Sequence, residues 1–275
     1  MPGVGCASPH WNPPAAKRTR AVHDLGMDSL KLRVVHQAPE PVDFEVPTGL
    51  VWIERGPQRA ALFTPDEIEP GRQYPLVTVL HGAGRQDEAL MRAYRFEAQQ
   101  RQAFVLVARS FHMTWDLIAL GMRDAEGALQ PDQPSPRPDL DFLEYAYDLI
   151  YRRYPIDRAR QALIGYSDGA SYALSVGLSN PGLFCAVMAW AAGFLALEAD
   201  AAEPGTPRPA IYLTYGTHDE LFPFERVALP MKRQLEELGC SVTFVVDEGG
   251  RHWPPSDFQP EALDWFGSEA WQRRS

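Results

Sequence analysis

From Pro75 onward the chain is built from short, unbroken apolar runs, each followed by a longer helical stretch. Leu76 to Leu80 precedes a helical stretch from about Gln86 to Arg101, and Phe104 to Ala108 precedes an excursion that ends in a helical pattern from Leu140 to Arg153. Ala162 to Gly165 leads into a small-residue helix from about Ser167 to Leu178, and Phe184 to Trp190 forms the next run. Ile211 to Tyr215 precedes a helix from Phe224 to Leu238 that stops at Gly239, and Val242 to Val246 precedes a last helix near Pro260 to Phe266. Runs of β-branched and aliphatic residues without polar alternation mark strands buried on both faces, and intervening helices impose parallel crossovers. Before Pro75, three extended candidates, Leu30 to His36, Leu50 to Arg55 and Arg59 to Phe63, are separated by Pro and Gly turn signals and read as an antiparallel edge. The predicted class is α/β, with a mostly parallel central sheet flanked by helices.

A chain of 275 residues suits one large α/β domain, taken here as residues 29–275. Residues 1–28, rich in proline and without an apolar stretch, read as a disordered leader or an over-called start, with Met27 opening the regular pattern. Gln130 to Pro138 and Leu197 to Pro209 interrupt the strand and helix rhythm and read as surface loops, the first a candidate lid.

Composition narrows the partners. A formal charge of −10 disfavours nucleic acid, which needs a basic face. No run reaches the roughly 18 to 20 apolar residues of a membrane-spanning helix. Cys6, Cys185 and Cys240 are odd in number and far apart, which argues against a disulfide framework and for a reducing, cytoplasmic setting. Neither an H-E-x-x-H pattern nor a close histidine pair occurs, so no metal site is expected.

The sharpest chemical signal is Gly165-Tyr166-Ser167-Asp168-Gly169, a G-x-S-x-G match between an apolar strand and a small-residue helix. That context is what a nucleophile elbow requires; a helix N-cap serine is the plainer reading of Ser167. A serine hydroxyl needs an imidazole to take its proton, and the imidazole needs a carboxylate to orient it. Asp219, in Gly216-Thr217-His218-Asp219-Glu220, follows one later strand, and His252, in Gly249-Gly250-Arg251-His252-Trp253, follows the next. Glu220, Asp247 and Glu248 compete for the acid's role, but Asp219 lies nearest its strand end; His218 reads as a loop residue. Oxyanion donors are expected from the backbone N–H groups of Asp168 and of Ala83 in His81-Gly82-Ala83-Gly84, with His81 structural. Trp115, Tyr166 and Trp253 are the substrate-lining candidates, and Phe111, Trp190 and Phe222 lie in comparable places; each could equally be packing.

These residues make the chain resemble the α/β-hydrolase superfamily, and within it serine esterases related to carboxylesterase/phospholipase and polyhydroxybutyrate depolymerase-like proteins. The resemblance is carried by L-H-G-A-G at 80–84, the segment from Tyr154 to Leu174, G-T-H-D-E-L-F-P at 216–223 and G-G-R-H-W at 249–253, and it covers the chain from about Leu50 onward. It implies an α/β-hydrolase fold with a minimal lid and cofactor-free hydrolysis of a small-molecule carboxylic ester through an acyl-enzyme; short-chain or small aromatic esters are the expected substrates. It names neither the ester nor the oligomeric state. One departure is Ala108-Arg109-Ser110, where similar proteins often carry a proline, and the secreted relatives' export signals and disulfides are missing, which argues against extracellular polymer degradation. A serine peptidase or acyltransferase on the same fold, and a non-catalytic ligand-binding member, are the alternatives; haloalkane and epoxide chemistry would place an aspartate at the elbow.

Overall fold

A computed structural model describes residues 30–34, 47–85, 87–123, 137–196, 207–255 and 257–270. The leader, the loop at 130–136 and the loop at 197–206 lie outside the described residues. Eight strands form one sheet: β1 (Leu50–Arg55), β2 (Gln58–Phe63), β3 (Tyr74–Leu80), β4 (Phe104–Ala108), β5 (Ile156–Tyr166), β6 (Ala186–Trp190), β7 (Ala210–Gly216) and β8 (Val242–Asp247). Their spatial order is β1-β2-β4-β3-β5-β6-β7-β8. β1 and β2 run antiparallel and join the rest through an antiparallel β2–β4 pair, while every later pair is parallel. The expected architecture is thus observed, antiparallel edge included.

Burial explains the unbroken apolar runs. Every residue of β4, β6 and β7 is buried, because helices cover both faces of the sheet. The helices are α1 (Asp87–Gln100), α2 (Asp116–Arg123), α3 (Pro138–Arg153), α4 (Asp168–Ser179), α5 (Ala228–Glu237) and α6 (Phe258–Trp265), the last running into a π-helical turn at Phe266–Ala270. α4 is buried from Gly169 to Ser179; its Gly, Ala and Ser side chains let it lie close to the sheet. Among the described residues, no helix is long and apolar enough to cross a membrane.

One expected strand is absent. Leu30 to Val34, the described part of the Leu30 to His36 candidate, joins no ladder. The Asn180 side chain takes the place of a neighbouring strand: its Oδ1 accepts from Leu32 N at 2.7 Å and its Nδ2 donates to Leu30 O at 2.8 Å. Alternation of polar and apolar residues suits an extended segment, but a strand also needs a free edge beside it, and a side chain occupies that place.

The topology sets the site. β3 lies between β4 and β5, so the chain steps to one side after β3 and returns to the other side for β5. Loops at the carboxyl ends of β3 and β5 therefore meet at this switch point, where open α/β sheets bind ligands. The register is close: Leu80 pairs with Gly165, Tyr166 with Trp190, and Gly216 with Asp247. All the sequence motifs consequently sit along one sheet edge.

Candidate active site

Ser167 occupies a sharp turn between β5 and α4 with φ 53° and ψ −114°, a backbone state that a residue with a Cβ adopts at a cost on the order of 1–3 kcal/mol. Its N–H donates to Trp190 O at 2.9 Å, which ties the turn to the neighbouring strand. Both flanking glycines are steric requirements. A Cβ on Gly165 would lie 2.2 Å from Gly169 O, and one on Gly169 would lie 2.3 Å from Leu80 O. The turn is thus folded so tightly against β3 that only hydrogen fits at either position.

Ser167 Oγ is 2.9 Å from His252 Nε2, and His252 Nδ1 is 2.9 Å from Asp219 Oδ2. The Asp219 side chain is fully buried, and its Oδ1 accepts the N–H groups of Leu221 and Phe222, each at 2.8 Å. Those donors hold Oδ1 and leave Oδ2 facing the imidazole. The histidine is fixed from behind: Trp190 Nε1 donates to His252 O at 2.7 Å, and the Phe222 ring meets the imidazole edge-on at 5.2 Å. The competing acids are elsewhere. Glu220 is exposed and paired with Arg251, which holds its carboxyl below the usual range. Glu248 and His218 are exposed, and Asp247 ends β8, its backbone carbonyl accepting the N–H groups of Thr217 and Gly250.

Ala83 and Asp168 come from the two loops that meet at the switch point. Ala83 is exposed in the turn after β3, and Gly84 N donates to Met113 O at 2.8 Å, fixing that turn's direction. Asp168 opens α4, where the first N–H groups have no helical acceptor and the helix dipole favours negative charge. His81 is fully buried and structural. Ser110 N donates to its Nε2 at 3.0 Å, which leaves the proton on Nδ1, 2.6 Å from Gly82 O, and burial lowers its pKa.

The three substrate-lining candidates separate. Trp115 is a correction: it is 1% exposed, stacks on Tyr172 at 5.0 Å, packs against His81 and donates Nε1–H to His81 O. It is a core residue, turned inward against His81 and Tyr172. Tyr166 has no free hydroxyl to offer, since that group is hydrogen-bonded to Tyr94 at 2.6 Å and its ring packs against Phe258. Trp253 is 67% exposed, with its ring 6.3 Å from that of His252. Met113 and Leu221 are also exposed, each beside a residue of the site.

Two features escaped the sequence reading. Thr114 Oγ1 donates to Asp168 Oδ2 at 2.6 Å, and Asp116 and Asp139 form a buried carboxylate pair behind the segment that carries Thr114. Their partners are distant in sequence, so no local motif announces them. Among the described residues no group of three or more His, Cys, Asp or Glu side chains is arranged to hold a metal ion.

An eight-stranded sheet, an elbow at its switch point and a serine, histidine and aspartate in relay define the α/β-hydrolase fold, and solved structures agree. A thermostable esterase matches with a TM-score of 0.58 at 22% identity, over 80% of this chain and 62% of that one. A ferulic acid esterase from Anaeromyces mucronatus gives 0.59 at 15% identity, over 88% and 100% of the two chains. An S-formylglutathione hydrolase from Agrobacterium tumefaciens gives 0.56 at 15%, over 82% and 98%. This chain therefore spans less than two thirds of the thermostable esterase's length. No protein-family model matches the chain, and no curated protein matches it in sequence.

Proposed function

We propose that the chain is a serine hydrolase of carboxylic esters that works through an acyl-enzyme. The observation that carries this reading is the unbroken relay from Ser167 Oγ to His252 to the buried Asp219, with both links at 2.9 Å. Ser167 Oγ attacks the ester carbonyl while His252 Nε2 takes its proton, and Asp219 holds the imidazole tautomer and stabilises the imidazolium. The N–H groups of Ala83 and Asp168 receive the developing oxyanion. His252 then protonates the leaving alkoxide, and water, deprotonated by the same imidazole, releases the acid.

The structural neighbours, several of which carry esterase names, favour an ester over an amide as substrate. Met113, Leu221 and Trp253, exposed on the loops that follow β4, β7 and β8, favour a short or small aromatic neutral ester.

Hydrolysis of p-nitrophenyl acetate, butyrate, octanoate and palmitate, beside a Ser167→Ala control, tests the reading. Turnover that falls with chain length and drops by about 10⁵-fold or more in the control is expected. A folded protein that hydrolyses none of these esters and fails to react with a fluorophosphonate would overturn it, and amide turnover equal to ester turnover would make it a peptidase.

A further inference from the structure

The segment from Ser110 to Trp115, which no motif marks, touches both halves of the oxyanion pocket. Its Met113 O accepts the N–H of Gly84, next to Ala83, and its Thr114 hydroxyl holds the Asp168 carboxylate. Arg85 extends the same seam, donating to the carbonyls of Phe111 and, at 2.7 Å, His112. Ser110 N and Trp115 Nε1 bind the ring and the carbonyl of His81. The turn that presents Ala83 is therefore shaped by this segment.

One carboxylate clamps both ends of the segment. Asp139 Oδ1 accepts Phe111 N at 2.6 Å and Gln58 Nε2 at 3.1 Å, while Oδ2 accepts Asp116 N at 2.7 Å. Asp116 answers in kind: its Oδ2 accepts Asp139 N at 2.9 Å and its Oδ1 accepts Leu117 N at 2.6 Å. Each aspartate thus accepts an N–H from the first turn of the helix that carries the other, Asp139 at α2 and Asp116 at α3. Both are almost fully buried, at 3% and 1% exposure. Two like charges held out of water burden the fold, and burial drives both carboxyls up in pKa. What the pair provides is geometry. Four carboxylate oxygens meet five N–H donors, so an amide in place of either carboxyl turns an NH₂ toward a donor it cannot accept.

We propose that Asp139, with Asp116, is a positioning residue that sets the oxyanion pocket through the segment Ser110 to Trp115. The proposal rests on the acyl-transfer reading above, because it concerns the donors that reading assigns to Ala83 and Asp168. The pair touches neither substrate nor triad. It holds the segment's ends, the segment holds the Gly84 turn and the Asp168 side chain, and the pocket's two donors keep their spacing. An error of a few tenths of an ångström there weakens transition-state stabilisation and leaves ground-state binding almost untouched.

The experiment compares Asp139→Asn, Thr114→Val and Asn180→Ala with the wild type, using p-nitrophenyl acetate kinetics, the rate of fluorophosphonate labelling and thermal melts. Asn180 is the control, a buried polar anchor of the N-terminal segment at the opposite end of α4 from Asp168. Asp139→Asn is expected to lower kcat at least tenfold with KM within twofold, and to slow labelling, at temperatures where circular dichroism shows it folded. Thr114→Val, which removes one hydrogen bond and leaves the pair intact, is expected to lower kcat three- to tenfold. Asn180→Ala is expected to melt earlier with kcat within twofold. A folded Asp139→Asn protein that only melts earlier, as Asn180→Ala does, overturns the proposal, and so does an unchanged kcat in Thr114→Val, which decides alone if Asp139→Asn does not fold. Absence of activity in the wild type itself would remove the parent reading and this one with it.

Discussion

The loops that follow β4 and β7 both bury carboxylates at the same edge of the sheet, and their partners differ. After β7, Asp219 accepts two backbone N–H groups with one oxygen and faces an imidazole with the other. After β4, Asp116 and Asp139 accept N–H groups from backbone and amide. Donors fix a carboxylate in place in either loop. What separates a carboxylate that tunes a reacting base from one that holds a loop is whether one oxygen is left for a group that gains charge during the reaction. Solvent draws a second line: Glu220, next to Asp219 in the chain, lies outside and pairs with Arg251.

The sharpest way to break this comparison is at Asp219. Asp219→Asn removes the charge that stabilises the imidazolium and presents an NH₂ to a backbone donor or to the imidazole, so kcat should drop by about 10³- to 10⁴-fold. Glu220→Gln, one residue along, should stay within about twofold. Comparable losses at the two positions, in ester kinetics on folded protein, would erase the distinction between the buried and exposed acids.

The β4 loop should reveal itself through pH. Burial raises Asp116 to about 6, from an ordinary value of 3.8. A carboxyl whose folded pKa is raised contributes stability that is fully present below its unfolded pKa and is lost as pH rises toward the folded one. The window is thus roughly pH 4 to 6. Asp116→Asn lacks this titration, so its melting deficit against the wild type should be largest near pH 4 and shrink by pH 7. A deficit that stays constant across that range would show that the pair does not titrate there.

The smallest expected effect lies at the rim. Trp253→Ala removes an exposed ring beside His252, and should raise KM for p-nitrophenyl butyrate about three- to tenfold with little change in kcat. A drop in kcat with KM unchanged would instead make the ring a support for His252.

Much of the fold could be read from local pattern, because strands buried on both faces need continuous apolar runs and crossover helices need residues between them. The hydrogen-bonded arrangement of Ser167, His252 and Asp219 was readable for a related reason: each lies on the loop after such a run, and the glycines around Ser167 mark a turn too tight for any side chain. Leu30 to Val34 shows the limit. Its alternation is that of a strand, yet Asn180 replaces the ladder, and nothing local to residues 30–34 says so. Trp115 shows another, since proximity to a motif does not tell whether a ring turns toward substrate or core.

Sequence alone determined the class of the sheet, the order of the loops that carry Ser167, Asp219 and His252, and the glycine-flanked serine, all encoded within a few consecutive residues. Only the tertiary structure decided which carboxylates are buried, that Asp139 grips both ends of the Ser110 to Trp115 segment, and that this segment shapes the turn beside Ala83. Hydrogen bonds between Gln58 and Asp139, or between Thr114 and Asp168, join residues separated by 81 and 54 positions. Such pairs leave no periodic trace along the chain, because the backbone between them can take almost any path as long as the sheet returns both ends to the same edge.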